Sequence, residues 1–403
     1  MRARARTALA SALVLTLATA CGDTTVDRPT PDASGSPSAA ETSGTSAPAL
    51  DPDHVMDPIG PRKGVVAIPD VVVTSVETLD PGTVEAIKKV KGVTDVETFS
   101  MVQVIIENET FNVAAVDPAT FRNYTLAAIA DSQEVWDRIA GGELALDPKL
   151  KKKLPQKNPG FLTLGSTEDS GAVHIGAYAE SVVNIDAVVN ETWVDDLDMP
   201  QDNALLVRTG RTAPQKVRAP IEEITGDDAA VAMVDVVARE GLDPDAKQVA
   251  VTTGTVADVV GIFRYTAIGG GRIAPEQAWV DSHIITKSVP ILGQVTCNKY
   301  VFPQLEAALK DVVAQGLQDE IHPEEYAGCY YPRFIAGSSK LSNHSFGLAL
   351  DFNVPGNQRG TVGEMDRGVV AIFKYWGFGW GGDWRYTDPM HFEMVELKNP
   401  ANP

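Results

Sequence analysis

The hydrophobic pattern between residues 62 and 265 mixes short β-branched runs with short amphipathic stretches. Asp80-Pro81 supplies an N-cap and a first-turn proline for a helix that continues to Val90. Two strand-like runs divided at 107–109 predict a β-hairpin. The predicted elements are strands at 64–68, 71–73, 93–108, 110–116, 171–175 and 203–207 and a further helix at 135–140. Such a mixture favours an α+β domain over residues 62–265.

The pattern changes toward the C-terminus, where two longer helical segments separate short alternating ones. Apolar residues recur at helical spacing after Pro303 and again from Val369 to Trp376. Residues 348–353 and 391–394 alternate apolar and polar positions, which is typical of half-buried strands. We therefore expect a second domain over residues 282–397, with a small antiparallel sheet flanked by helices.

The first 61 residues predict export and anchoring. Three arginines precede an apolar run from Ala8 to Ala20, which is too short to span a bilayer and is typical of a signal peptide over residues 1–20. Leu17–Cys21 resembles a bacterial lipobox, which implies a lipidated Cys21 on the cell membrane, facing the wall. Ordinary secretion with a free Cys21 is the alternative. Residues 21–61, rich in Ser, Thr and Pro, predict a disordered tether.

Charge and cysteine content narrow the function classes. The formal net charge is −20, which argues against a nucleic-acid partner because phosphate binding needs a basic surface. Apart from Cys21, the cysteines are Cys297 and Cys329. Outside the cytoplasm, two such cysteines are expected to form a disulfide.

Two short motifs near the C-terminus carry the candidate chemistry. His344 lies in a loop before Asp351, and Asp351 alternates with leucines along its predicted strand. His391 begins the other predicted strand, with Glu393 on the same face. Two imidazoles and one carboxylate are the ligand set of a catalytic zinc site with an open fourth position, so we expect Zn²⁺ as the cofactor. A serine hydrolase reaction at Ser345 is disfavoured because no Gly-x-Ser-x-Gly elbow surrounds it.

The pattern Ser-x-His-x-x-Gly-x-Ala-x-Asp, followed by Asp-Pro-Met-His-Phe-Glu, resembles the VanY-like family of D-alanyl-D-alanine carboxypeptidases and L-alanyl-D-glutamate endopeptidases. The resemblance covers Ile284–Met394 and implies that His344, Asp351 and His391 bind zinc. It also implies hydrolysis of peptidoglycan stem peptides and leaves open which bond is cut. A non-catalytic wall-binding or transporter-associated module is the alternative, and the intact motif residues argue against it.

The same resemblance implies roles for three further residues. Asp388, three positions before the last zinc histidine, is the expected general base, where many family members carry Glu. Arg333 fits the arginine that holds a substrate carboxylate or oxyanion, because a guanidinium offers fixed, paired donors. The alternative is an ordinary surface arginine. Glu393 is a rival for the base role and is expected instead to orient a zinc ligand.

The middle region offers no catalytic constellation. It resembles the extracytoplasmic domain of FtsX-like and MacB-like transporter permeases, which implies a protein-binding role and a membrane protein partner. The residues that carry this resemblance are Val90–Val96, Val116–Arg122 and Glu143–Lys149. His54 and His174 have no ligand partners at metal spacing and are expected to be structural. The Gly269–Gly271 cluster lacks the spacing of a phosphate loop and predicts a turn.

Overall fold

A computed structural model of the protein describes residues 52–106, 109–153, 160–164, 172–252 and 256–401. The predicted signal peptide, Cys21 and most of the predicted tether lie outside these residues. The helices are α1 Pro81–Lys88, α2 Pro118–Phe121, α3 Ala127–Ala130, α4 Gln133–Ala140, α5 Gln215–Thr225, α6 Val236–Arg239, α7 Ala257–Val260, α8 Gln277–His283, α9 Phe302–Ala314 and α10 Arg367–Tyr375. No helix within the described ranges is both long enough and apolar enough to cross a membrane.

Strands are spread over the same ranges as the helices, which confirms the predicted α+β class. The strands are β1 Val71–Ser75, β2 Asp95–Ile106, β3 Glu109–Val116, β4 Leu144–Leu146, β5 Phe161–Thr163, β6 Ala172–Tyr178, β7 Ala187–Asn190, β8 Ala204–Arg208, β9 Ala229–Met233, β10 Gln248–Val251, β11 Ile262–Ile268, β12 Arg272–Pro275, β13 Ile284–Val289, β14 Gly293–Asn298, β15 Ala349–Asp351, β16 Phe378–Trp380 and β17 His391–Met394.

One mixed sheet of nine strands fills the middle region, in the order β5-β6-β4-β7-β3-β2-β8-β1-β9. The predicted hairpin is present as the antiparallel pair β2 and β3, and residues 107–108 of its turn lie outside the described residues. The first predicted helix is present as α1. The Asp80 carboxylate caps it by accepting hydrogen bonds from the backbone N–H groups of Gly82 at 2.8 Å and Thr83 at 3.2 Å.

The predicted strand at 64–68 is wrong, because that segment has irregular backbone. The Ala67 N–H donates to the carbonyl of Asn123 at 3.0 Å, and the Ala67 carbonyl accepts from Nε of Arg208 at 2.8 Å. Pro69 follows this segment and has no backbone N–H to donate to a neighbouring strand. The segment therefore runs outside the sheet, and its Val65 side chain is exposed to solvent.

Three smaller antiparallel sheets make up the C-terminal region, namely β10-β11-β12, β13-β14 and β15-β17-β16. The two predicted helices are confirmed as α9 and α10. Both bury apolar side chains in one core, including Leu305 from α9 and Phe373 from α10. Burial of each such side chain contributes about 1.5–3 kcal/mol. The carboxylate of Asp366 fixes the start of α10 by accepting from the N–H groups of Gly368 and Val369.

The C-terminal core extends upstream of residue 282. Phe263, Tyr265, Ile273 and Trp279 are buried in the same cluster as the side chains of α9 and α10. The sheet β10-β11-β12 therefore packs with the C-terminal region, whereas the sequence pattern assigned residues up to 265 to the preceding domain. The bounds 62–265 and 282–397 stay predictions.

Candidate metal centre

The register of two short strands brings the candidate ligands together. Strands β15 and β17 are antiparallel, and Asp351 lies directly opposite His391. Residues directly opposite each other project from the same face of a sheet. Two pairs further along, Ala349 lies opposite Glu393 on that same face. The alternation seen in the sequence thus places two carboxylates and one imidazole on one small surface.

His344 reaches this surface from a single 3-10 turn that precedes β15. The hydroxyl of Ser342 caps the turn by accepting from the His344 N–H at 3.3 Å. Gly347 ends the turn with a φ of 65°, a left-handed conformation that favours glycine. A Cβ at Gly347 would also lie 2.6 Å from the backbone nitrogen of Asn298. The Ser-x-His-x-x-Gly spacing therefore reflects a turn that aims His344 at the strands.

The tautomer of His344 follows from its backbone contact. Its Nδ1 lies 2.8 Å from the carbonyl oxygen of Cys329. A carbonyl can only accept, so Nδ1 carries a hydrogen and is not available to a metal ion. Nε2 is therefore the atom of His344 that can bind a metal ion.

His344, Asp351 and His391 are the one group of three or more His, Cys, Asp or Glu in the described ranges that could hold a metal ion. Their ligand atoms all lie within 4.8 Å of one another. Nε2 of His344 is buried and lies 3.1 Å from Oδ2 of Asp351, yet it makes no hydrogen bond to any described residue. A buried imidazole nitrogen this close to a carboxylate oxygen is typical of two atoms that bind the same cation. These residues therefore fit zinc.

Charges at the centre reinforce this fit. Burial lowers the pKa of His391, but the carboxylates of Asp351 and Glu393 outweigh burial and raise that pKa to about 9. Burial likewise raises the pKa of Asp351, but the imidazoles of His344 and His391 outweigh it and hold the pKa well below its usual range. The surface therefore carries an ionised carboxylate that favours positive charge beside it.

Glu393 contacts the other ring nitrogen of His391. Its Oε2 lies 3.0 Å from Nε2 of His391, whereas Oδ1 of Asp351 lies 3.1 Å from Nδ1. The amide of Asn343 donates to the same Glu393 oxygen at 2.7 Å. Burial raises the pKa of Glu393, but the hydrogen bonds from His391 and Asn343 outweigh it and lower the pKa. Glu393 and Asp351 thus hold the His391 ring from opposite sides.

Asp388 lies beside His391 in a tight turn. The carbonyl of Asp388 accepts from the His391 N–H at 3.0 Å, and the indole of Trp380 donates to the carbonyl of Pro389 at 2.7 Å. Oδ1 of Asp388 is buried without a hydrogen-bond partner among the described residues. Burial and the charge of Asp351 raise the pKa of Asp388, although nearby cationic groups partly offset this.

Two of the cations near Asp388 are arginines. The positive charges of Arg359 and Arg333 both act to lower the pKa of Asp388, more weakly than burial raises it. Arg333 was predicted from its position before the first motif. Arg359 was missed because its loop carries no motif, and a backbone hydrogen bond from Gly360 to the carbonyl of Thr387, 2.7 Å long, connects that loop to the turn of Asp388.

Other residues around the centre were also missed by sequence reasoning. The ring of Trp384 lies 5.1 Å from that of His391, centroid to centroid. Asn343 belongs to the first motif, but no sequence signal predicts its contact with Glu393. A cavity of about 550 Å³ adjoins Asn343 and Glu393, and its far wall includes Val249 and Val251 of β10. The space beside the centre is thus partly built by residues far upstream of the motifs.

The cysteines and the remaining candidates have structural contacts. Cys297 and Cys329 form a disulfide with a Cα–Cα distance of 5.4 Å. The ring of His54 stacks on Trp193, and His174 contacts the buried Glu143 at 2.6 Å. Neither histidine belongs to the metal-binding group.

The C-terminal region is similar to bacterial cell-wall peptidases. Residues 336–394 match a peptidase family, M15, described as D-alanyl-D-alanine carboxypeptidase. A relative named peptidoglycan L-alanyl-D-glutamate endopeptidase CwlK, from Bacillus subtilis (strain 168), is 40% identical over 13% of this chain and 40% of its own length. The chain thus spans about two fifths of that curated relative. These matches confirm the resemblance that the two motifs indicated.

Two solved structures were also similar, at low TM-scores. The periplasmic region of MacB from Actinobacillus actinomycetemcomitans gives a TM-score of 0.25 at 11% identity, over 42% of this chain and 90% of that one. A domain of a putative permease protein from Porphyromonas gingivalis gives a TM-score of 0.21 at 16% identity, over 45% of this chain and 88% of that one.

Proposed function

We propose that this protein is a zinc-dependent peptidase that hydrolyses peptides of the bacterial cell wall. The observation that carries the proposal is the convergence of His344, Asp351 and His391, whose ligand atoms lie within 4.8 Å of one another. Two imidazoles and one carboxylate leave one position open for water or substrate, which is the arrangement of catalytic rather than structural zinc sites. Zinc held there supplies a Lewis acid that activates water and polarises the scissile carbonyl.

Asp388 is the general base of the proposed reaction. It accepts a proton from the attacking water and delivers it to the leaving amine. Its buried, unpartnered Oδ1 supports this role, because no hydrogen bond to a described residue occupies that oxygen. Burial also raises its pKa, which makes the carboxylate a better proton acceptor than an exposed aspartate.

Glu393 orients the metal ligand His391 in this proposal. It contacts the ring nitrogen opposite the one that faces Asp351, and Asn343 fixes its carboxylate. A carboxylate on the second nitrogen holds an imidazole in one orientation and increases its basicity. The position of Glu393 therefore suits alignment of the ligand, whereas Asp388 has the free oxygen that proton transfer needs.

The proposed substrates are peptidoglycan stem peptides. The family match and the named relative support this class, although the two descriptions name different bonds. Stem peptides carry free carboxylates, and Arg333 and Arg359 place two positive charges near Asp388. The proposal covers both the carboxypeptidase and the endopeptidase reaction, and the products distinguish them.

The test is digestion of purified peptidoglycan, followed by mass analysis of the soluble products, with Asp388→Asn as the matched inactive control. Loss of a terminal D-alanine identifies a carboxypeptidase, and cleavage between L-alanine and D-glutamate identifies an endopeptidase. Either product, formed by the wild type and absent with the control, supports the proposal. Binding to the wall without any turnover contradicts it and favours a wall-binding module.

Export and anchoring are part of the same proposal. Met1–Cys21 has the basic start, apolar run and cysteine of a lipoprotein signal, which would place the enzyme on the outer face of the cell membrane. The mass of the mature N-terminal peptide tests this. A diacylated Cys21 supports anchoring, and an unmodified N-terminus after cleavage indicates plain secretion. The membrane protein partner of residues 62–265 stays a proposal that rests on their sequence resemblance.

A further inference from the structure

A glycine-rich hairpin connects a buried carboxylate of the middle region to the backbone of Arg333. The hairpin consists of β11, the turn Gly269–Gly271 and β12. Asp70, whose residue surface is 1% exposed, directly precedes β1 of the middle region and contacts this turn. Its Oδ1 accepts from the Gly270 N–H at 2.7 Å. Its Oδ2 accepts from the Thr209 N–H at 2.8 Å and from the Thr209 hydroxyl at 2.9 Å.

The hairpin turn is docked closely against the end of β8. The Gly269 N–H donates to the carbonyl of Thr212 at 3.0 Å, and the guanidinium of Arg272 donates to the carbonyl of Gly210 at 2.8 Å. A Cβ at Gly269 would lie 2.3 Å from the Thr209 hydroxyl oxygen and 2.8 Å from the Gly210 carbonyl oxygen. Only glycine allows this approach, so the turn packs against Thr209 and Gly210 without room for a side chain.

The opposite edge of the same hairpin holds the segment of Arg333. The Phe334 N–H donates to the carbonyl of Gly271 at 2.9 Å, and the Ile273 N–H donates to the carbonyl of Pro332 at 3.1 Å. Arg333 therefore lies between two backbone hydrogen bonds to the hairpin. Its own N–H donates to the hydroxyl of Ser345 at 2.9 Å, which connects it to the motif of His344.

We propose that Asp70 is a positioning residue for Arg333. Asp70 fixes Gly270, the next residue along the turn accepts from Phe334, and the backbone of Arg333 follows that contact. The inference rests on the proposed function, because it takes Arg333 as the group that holds a substrate carboxylate or oxyanion. It makes the middle region a support of the active site, in addition to the protein-binding role that its resemblance implies.

The size of the effect follows from geometry. Loss of the Asp70 carboxylate leaves the part-buried Gly270 N–H and the buried Thr209 N–H without their acceptor, so the hairpin shifts until these groups find new partners. A shift of about 1 Å at a substrate-binding group lowers kcat/KM by up to about 100-fold. The zinc ligands lie on other elements and keep their places.

The experiment compares Asp70→Ala and Asp70→Asn with Asn203→Ala. Asn203, like Asp70, is a buried polar residue directly before a strand of the nine-stranded sheet, and its hydrogen bonds go to Ser75 and Met101 instead of the hairpin. Soluble muropeptides from purified peptidoglycan serve as the substrate. We expect Asp70→Ala to lower kcat/KM by about 10- to 100-fold, mainly through KM, with zinc content unchanged. The Asp70→Asn and Asn203→Ala variants should lose less.

The kinetic effects of the Asp70 and Arg333 variants should not be additive. A merely structural role of Asp70 would instead give additive losses. The double variant Asp70→Ala/Arg333→Ala should be no worse than Arg333→Ala alone, because Asp70 acts through Arg333. Additive losses, or equal losses in Asp70→Ala and Asn203→Ala, overturn the inference. If Asp70→Ala does not fold, Gly269→Ala is tested in its place, because it disturbs the same contact between the hairpin turn and Thr209.

Amide hydrogen exchange separates failure of the inference from failure of the proposed function. The N–H groups of Ile273 and Phe334 should exchange faster in Asp70→Ala and not in Asn203→Ala, whatever the enzyme does. Unchanged exchange at both amides overturns the structural link. Wild-type kinetics of Arg333→Ala, on the other hand, overturn the role given to Arg333 in the proposed function and leave the exchange result standing.

Discussion

The carbonyl oxygen of Cys329 lies 2.8 Å from Nδ1 of His344. Cys329 is also bonded to Cys297, so a covalent crosslink holds the peptide group that sets the tautomer of a candidate zinc ligand. The Asp351 N–H donates to the carbonyl of Gly328 at 3.2 Å, one residue earlier on the same segment. A single disulfide-linked segment therefore aligns two of the three candidate ligands.

Replacing the disulfide should weaken zinc binding as well as the fold. In the variant Cys297→Ser/Cys329→Ser we expect unfolding free energy to fall by about 3–4 kcal/mol, the chain-entropy value for a loop of this length. We expect zinc affinity to fall by about tenfold, because the hydrogen bond to His344 becomes less well held. Denaturant titration and competition with a zinc-binding dye measure the two effects. Cys21→Ser is the matched control, and equal zinc affinity in both variants would count against the alignment.

Removal of one ligand should remove the metal. We expect about one zinc per chain in the wild type, and loss of most of it in His344→Ala and in His391→Ala, because two protein ligands bind zinc weakly. Elemental analysis of the purified proteins measures this. His174→Ala removes a histidine outside the centre and should keep full zinc. Full zinc in both ligand variants would show that the ligand assignment is wrong.

Zinc binding should release a proton near neutral pH. The pKa of His391 is raised to about 9 in the metal-free site, so its imidazole is protonated at pH 7.5 and must lose that proton to bind a metal. The Asp351 carboxyl, with its lowered pKa, is already ionised and releases none. We expect His391 to contribute about one proton per zinc at pH 7.5, in addition to the proton that zinc takes from its bound water, and this contribution falls toward zero as the pH rises through 9.

Calorimetric zinc titration in buffers of different ionisation enthalpy counts that proton. Glu393→Gln should release a smaller fraction at pH 7.5, because it removes one of the two carboxylates that raise the pKa of His391. A proton count that does not change between pH 7.5 and 10 would disagree with this assignment of charge.

Loss of the general base should spare the metal and stop the reaction. We expect Asp388→Asn to keep its zinc and to lower kcat by about two to four orders of magnitude. Glu393→Gln should lower kcat less, because Asp351 still holds the other side of the His391 ring. Steady-state kinetics on the same muropeptide rank the two variants. The reverse ranking would transfer the base role to Glu393.

Local sequence signals predicted the elements that carry the centre. Alternation of apolar and polar residues found the strands that bear Asp351 and His391, and helical spacing found α9 and α10. The glycine after His344 marked its turn. These predictions worked because strand, helix and turn preferences depend on residues a few positions apart.

Contacts between distant segments were not predictable in the same way. The register that sets Asp351 opposite His391 depends on how two strands forty residues apart pair, and pattern alone leaves register open. No motif connects Arg359 with Asp388, on whose pKa its charge acts. The same holds for Gly270 and Asp70, which are joined by a hydrogen bond. The strand predicted at 64–68 failed for a related reason, because a loop and the side chain of Arg208 took up its backbone hydrogen bonds.

The most direct test of the central claim is restoration of peptidoglycan cleavage by zinc. The purified protein is stripped with a chelator, and zinc is added back stepwise while release of new amino groups from peptidoglycan is measured. We expect no release from the stripped protein, full recovery at about one equivalent of zinc, and no recovery in His391→Ala at any zinc concentration below inhibition. Cleavage by the stripped protein, or equal recovery in His391→Ala, would contradict the account.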